Sequence, residues 1–254
     1  MNSSKTKTLE MNVNEPNSDI INSNEMKIIA RIHNDFPTKF GIPHQSNRLE
    51  ALKATIVFEK EYRVWEAFRG LEEYSHIWLI WQFSEAVRDK WSPTVRPPRL
   101  GGNVRMGVFA TRSPFRPNNI GLSSVKLEKV VKDPDLGPVL CISGADLMDG
   151  TPVYDVKPYL PYVDSHPEAT GGFTDQIEDY RLEVDFPEEL LAQIPEGQRE
   201  ALMEVLANDP RPRYQKNPER IYGIAYGKKD IHFRVDGKKI QVTSVDSYCE
   251  KHGQ

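Results

Sequence analysis

A chain of 254 residues with 38% hydrophobic and 28% charged side chains, among them 10 Phe, 10 Tyr and 4 Trp, can build one large domain or two modest ones, which excludes a wholly disordered protein. No apolar run approaches the roughly 18 residues of a membrane span, the N-terminus lacks the apolar core of a secretion signal, and Cys141 and Cys249 form no ligand spacing, so a soluble protein of the reducing cytoplasm is expected. The net charge of −4 hides a polarised chain: residues 88–116 hold seven basic and one acidic side chain and residues 211–234 seven and two, leaving −15 for the rest. Such polarisation lets an acidic protein offer a basic face to a polyanion, although charge runs are more often plain solvated surface.

Residues 1–26, with ten Asn or Ser and no aromatic side chain, read as a disordered tail. Strands are expected at 27–32, 50–58, 76–83, 104–111, 122–130, 139–146 and 153–156. Turn formers separate them, as at Pro97-Pro98, Gly101-Gly102, Pro117-Asn118-Asn119 and Asp149-Gly150-Thr151-Pro152. The run HIWLIWQF at 76–83 is apolar enough for a strand buried on both faces. One helix is predicted in this stretch, over 62–71, where Val64, Trp65, Phe68 and Leu71 recur at helical spacing. The connections are too short for a doubly wound sheet and favour a closed barrel. Residues 164–186 are polar and read as a linker. An amphipathic helix over 188–206, interrupted at Pro195-Glu196-Gly197, precedes strands at 221–226, 231–235 and 240–245, with Asp236-Gly237 as a hairpin turn. The expectation is a mainly β protein: a β-barrel N-terminal domain over 27–163 and a small α+β C-terminal domain over 187–254.

No Gly-x-Gly-x-x-Gly follows a strand, so the usual dinucleotide fold finds no support. Residues 223–228 echo a phosphate loop, but the spacing is one residue short and Lys229 replaces the Ser or Thr. The six histidines show no i, i+4 pair, so no metal site is expected. The dense segment 91–123 alternates arginines with prolines and glycines, which suits a stiff loop presenting guanidinium groups to carboxylates or phosphates. Ordinary turns with solvated arginines have the same composition. Residues 144–159 place Asp146, Asp149 and Asp155 beside a Gly-Thr-Pro turn, where carboxylates either meet a ribose or amine or cap the turn itself.

Four segments in order carry a family resemblance: FGIPHQS at 40–46, EEYSHIW at 72–78, RPPRLGGNVRMGVFATRSPFRPNNIGLS at 96–123 and DLMDGTPVYDVKPYLPY at 146–162. Together they resemble the TrmO, or TsaA-like, family, and LANDPRPRY at 206–214 is similar to the C-terminal domain of its bacterial members. The resemblance implies a β-barrel enzyme that uses S-adenosylmethionine to methylate N6 of threonylcarbamoyladenosine (t6A) at position 37 of tRNA, acting as a homodimer. It puts the methyl donor on Pro43, His44, Gln45, Ser84, Glu85, Arg112, Leu122, Ala145, Asp146, Leu147 and Met148. Ser84-Glu85 departs from the His-Gln pair that a bacterial relative carries at this point. Arg112 would pair with the donor's carboxylate and Asp146 with its ribose or amine, and Asp146 or Asp149 is the candidate proton acceptor. Arg96, Arg99, Arg105, Arg116, Arg211, Arg213 and Lys216 would grip the phosphates of the anticodon stem-loop. Two other readings stay open: a non-catalytic RNA-binding β-barrel with the same basic face, and a metal-dependent hydrolase built on Asp146, Asp149 and Asp155.

Overall fold

The computed structural model describes residues 25–43, 46, 49–88, 90–97, 104–176, 180–211 and 217–249. Strand β1 (Ala30–His33) pairs antiparallel with β2 (Lys53–Phe58), and β3 (His76–Gln82) follows. A two-residue pair, β4 (Thr94–Val95) with β5 (Met106–Gly107), lies within the long connection to β6 (Ile120–Asp133). Strands β7 (Gly137–Ser143) and β8 (Pro152–Pro158) complete a closed antiparallel barrel in the order β1-β2-β7-β6-β3-β8. Closure comes from β8 returning to β1, where Val153 faces Ala30. The long β6 serves two neighbours: Ile120 to Lys126 pair with β3, and Lys126 to Asp133 with β7. An irregularity between Leu127 and Lys129 bends it at the changeover, as a bulge does.

Beyond the short helix α1 (Pro161–Asp164), the second unit comprises β9 (Glu183–Asp185), α2 (Glu188–Leu191), α3 (Glu196–Ala207), β10 (Tyr222–Tyr226), β11 (Lys229–Asp236) and β12 (Lys239–Ser247). Its sheet runs β10-β11-β12-β9, antiparallel except for the parallel β12–β9 pair. The fold is mainly β, with a barrel and a smaller α+β unit.

Several expectations are corrected. On β3, Ile77, Leu79 and Trp81 point into the barrel while His76, Trp78, Ile80 and Gln82 face outward half-buried, so the strand is buried fully on one face. No α-helix forms over 62–71. Single 3-10 turns stand there instead, with Ala67 N–H donating to the Val64 carbonyl, because burying Phe68 edge-on against Phe58 and binding Arg63 Nε to the Phe58 carbonyl hold the chain to the barrel wall. The strand expected at 104–111 shrinks to β5 and a 3-10 turn, closed by the Thr111 hydroxyl donating to the Val108 carbonyl. Part of the expected linker is the edge strand β9. Asp236 pairs with Lys239, so the hairpin loop is Gly237-Lys238, one residue later than expected. The tail at 1–26 lies, but for Glu25 and Met26, outside the described residues.

Among the described residues two apolar cores result, and that of the C-terminal unit recruits side chains from the barrel unit. Phe36, Leu49 and Leu52, from the β1–β2 connection, pack with Leu202, Leu206, Ile224 and Phe233. Each fully buried side chain of this size contributes roughly 1.5–3 kcal/mol. Gly41 (φ 91°) touches Ile224 so closely that a Cβ there would lie 2.1 Å from its Cδ1. The Gln198 amide donates to Asp35 Oδ1 at 2.7 Å, and Gly227 N–H donates to the Asp35 carbonyl at the same distance. The C-terminal unit thus buttresses the connection that leads to Pro43.

Candidate methyl-donor cavity

Beside the barrel, a cavity of about 600 Å³ is lined by Pro43 from the β1–β2 connection, Ser84 and Glu85 after β3, Arg112 and Arg116 before β6, Leu122 on β6, and Asp146, Leu147 and Met148 after β7. Five separate stretches of chain therefore meet at one place. That volume lies within the range of about 300–1,000 Å³ usual for small-molecule sites. Ala145 lies beneath, buried, and borders a separate small void. His44 and Gln45 lie outside the described residues.

Strand alternation builds the wall. Trp81 and Gly121 face each other across β3 and β6, and the absence of a side chain at Gly121 makes room for the indole; a Cβ there would lie 2.2 Å from Trp81 Cε2. The indole N–H donates to Ser123 Oγ at 3.0 Å, and the Ser123 hydroxyl donates to Asp146 Oδ1 at 2.6 Å. Ser123 is 1% exposed, and its single proton is committed to the carboxylate. This relay holds Asp146 at the cavity edge. Burial pushes the Asp146 carboxyl above the ordinary aspartate range, against the opposing pull of the Ser123 hydroxyl, backbone N–H groups and the positive charge of Arg112. Arg112 and Asp146 are thus brought together, with Trp81, Phe83, Ile120 and Leu147 as apolar walls. A guanidinium for a carboxylate, a carboxylate for hydroxyls or an amine, and flat apolar walls for a base match the donor set of S-adenosylmethionine.

Other expected residues fall elsewhere. Asp149 does not line the cavity: its Oδ1 accepts from the Asn34 N–H and faces His33 Nδ1 at 3.4 Å. Asp155 pairs with Lys157 at 3.0 Å, so the three aspartates form no single cluster. Arg116 is no free phosphate grip, since its guanidinium donates to the Thr111 and Ser113 carbonyls from the cavity wall. Arg211 is 11% exposed in its side chain and donates to Asp209, itself 6% exposed, through two nitrogens, so it fastens the chain rather than presenting charge. Burial pushes the Asp209 carboxyl up, but Arg211 and the Tyr180 hydroxyl prevail and hold it below the usual range. Arg96 and Arg105 are exposed, with Arg105 reaching Thr94 Oγ1 at 3.2 Å; Arg99, Arg213 and Lys216 lie outside the described residues. Gly121, one of the glycines of segment 91–123 read as allowing close backbone approach, does line the cavity, whereas Trp81, Phe83 and Ser123 were not singled out from sequence. The alternation along 76–83 and 120–125 carried the signal, but which phase faces a cavity depends on the barrel's closure.

Comparison with known proteins identifies the family. Residues 31–165 match the tRNA-methyltransferase O N-terminal domain, and residues 179–248 match the TrmO C-terminal domain. A tRNA (adenine(37)-N6)-methyltransferase of Escherichia coli K12 is 37% identical over 234 residues, covering 89% of this chain and 99% of the relative. A Pseudomonas aeruginosa relative named for S-adenosylmethionine-dependent methyl transfer, RcsF, is 43% identical over 213 residues, covering 81% of this chain and 90% of its own. A crystal structure of TrmO from P. aeruginosa superposes with a TM-score of 0.71 at 34% identity, covering 88% of this chain and 97% of that one. With both domains matched in order and a full-length relative well above the level at which folds diverge, the chain belongs to the tRNA-methyltransferase O family.

Proposed function

We propose that this chain is an S-adenosylmethionine-dependent tRNA methyltransferase that methylates N6 of t6A at position 37, and that it works as a homodimer in the cytoplasm. The observation that carries the reading is the convergence of Pro43, Ser84, Arg112, Leu122 and Asp146 on one cavity. A non-catalytic RNA-binding barrel would leave that cavity without a task.

When bound, S-adenosylmethionine supplies a methyl group activated by its sulfonium charge. The chain's part is placement, the larger share of catalysis for a displacement of this kind. Arg112 holds the donor's carboxylate, and Asp146, fixed by Ser123, takes its ribose hydroxyls or amine. Pro43, with His44 and Gln45 next to it in sequence, borders the donor from the connection that the C-terminal unit supports. Of the two aspartates considered as proton acceptor for N6, Asp146 lines the donor cavity and Asp149 does not. Arg96 and Arg105 are exposed and meet phosphates of the anticodon stem.

Incubation with a t6A-bearing anticodon stem-loop and methyl-labelled donor tests this. Label on the N6 of the modified nucleoside is expected. Tight stem-loop binding with no transfer would leave the RNA-binding barrel instead. Light scattering reads the dimer: a particle of one chain's mass would refute that part.

A further inference from the structure

A second depression, of about 470 Å³, opens on the outside of the barrel and shares Arg112 and Leu122 with the donor cavity. Its other walls include His76, Trp78, Ser124 and Tyr159. The two tryptophans of β3 are three residues apart and so face opposite sides of the strand. Trp81 fills the barrel, whereas Trp78 faces outward across from Ser124. The Trp78 indole N–H donates to Asp164 Oδ2 at 3.0 Å, and the same oxygen accepts the Leu160 N–H at 2.8 Å, so the ring is pinned to the turn entering α1. Tyr159 lies beside it, ring centroids 5.5 Å apart and planes 43° apart, and His76 meets Tyr159 edge-on at 6.2 Å.

In-line transfer brings the reacting atoms to about 3–3.5 Å, so the acceptor site must adjoin the donor site. The small void beside Asn34 and Tyr226 shares no residue with the donor cavity. The outer groove shares two. We propose that it is the acceptor subsite: the acylated adenine enters it and stacks on the aromatic surface that Trp78 and Tyr159 make together. The assignment rests on the methyl-transfer reading above. Splayed bases are held by aromatic faces in this manner, and a pinned ring loses little freedom on binding.

The test uses the full chain, a t6A-bearing stem-loop and S-adenosylmethionine. Trp78→Leu and Tyr159→Leu are each expected to raise KM for the stem-loop by about ten-fold or more, the loss typical of one base–aromatic stack. Donor affinity by calorimetry should stay at the wild-type value, and Trp78→Phe, which keeps a ring, should recover most of the loss. Wild-type KM in both Leu variants, or an altered particle mass in place of a KM effect, overturns the assignment; the latter makes the groove a contact between copies. For the unaltered protein, a stem-loop carrying 2-azidoadenine at the acceptor position is photolysed. Attachment to peptides containing Trp78 or Tyr159 supports the groove, and attachment confined to other peptides refutes it. Wild-type protein that transfers no methyl at all sinks the underlying reading, whereas active Leu variants with unchanged KM sink the groove alone.

Discussion

Replacing Gly121 by alanine probes the relay behind the donor cavity most directly. The new Cβ would lie 2.2, 2.4 and 2.5 Å from three atoms of the Trp81 indole, all inside contact distance. Trp81 cannot swing away cheaply, being 6% exposed, packed 4.2 Å from the Phe83 ring and bonded to Ser123. Overpacking of this kind costs about 1–3 kcal/mol, and losing the indole–hydroxyl bond adds about 1 kcal/mol. At about 2–4 °C per kcal/mol for a protein of this size, Tm should fall by roughly 4–16 °C. Ser123 would turn with the displaced indole, so donor affinity measured by calorimetry should fall as well. Gly107→Ala is the control, since a Cβ at Gly107 meets nothing within 4 Å. The double variant Gly121→Ala/Trp81→Phe relieves the clash and should regain Tm but not donor affinity. A Gly121→Ala protein with wild-type Tm and wild-type donor binding would refute the relay.

Asp146→Asn should abolish most donor binding while raising Tm at neutral pH. The folded carboxyl keeps its proton more tightly than the unfolded one, so its contribution favours folding below the ordinary aspartate value of about 3.9 and is lost as pH rises through the folded value. The gain in Tm should therefore vanish in acid, which melts at several pH values will read. Arg211→Ala should act on stability, at about 3–5 kcal/mol, by leaving Asp209 buried without its partner. Asp209 titrates low when folded, so its stabilisation is present above the ordinary aspartate value and disappears as pH falls through the folded one; wild-type stability in Arg211→Ala would contradict the pairing. Arg96→Ala and Arg105→Ala should each weaken stem-loop binding and reduce its salt slope by about 1, with melting unchanged. Gly41→Ala should lower both Tm and donor affinity by driving a Cβ into Ile224, and melts paired with calorimetry will show whether the two units are coupled.

Much of the barrel was legible in the chain because strand periodicity and turn residues are local properties. Residues 53–58, 76–82 and 137–143 alternate or run apolar and are bounded by turn formers, and all form strands. Where local pattern misled, long-range contacts had won. The spacing of Val64, Trp65, Phe68 and Leu71 is helical, yet Phe68 docking on Phe58 and Arg63 reaching the Phe58 carbonyl and, in the turn between β6 and β7, the Asp135 carbonyl hold this stretch in single turns.

Charge shows the same division. Composition picks out two basic stretches but not which guanidinium groups are already engaged, because partners such as Asp209 and the Thr111 carbonyl are chosen by the fold. By itself the sequence determined a mainly β chain, the identity of its motif residues and their family. Only the tertiary structure decided that Arg112 and Asp146 share a cavity, that Asp149 does not, and that Trp78 and Trp81 serve opposite faces of one strand. The physical reason is barrel closure: it sets the phase of every strand at once, and no segment carries that information alone.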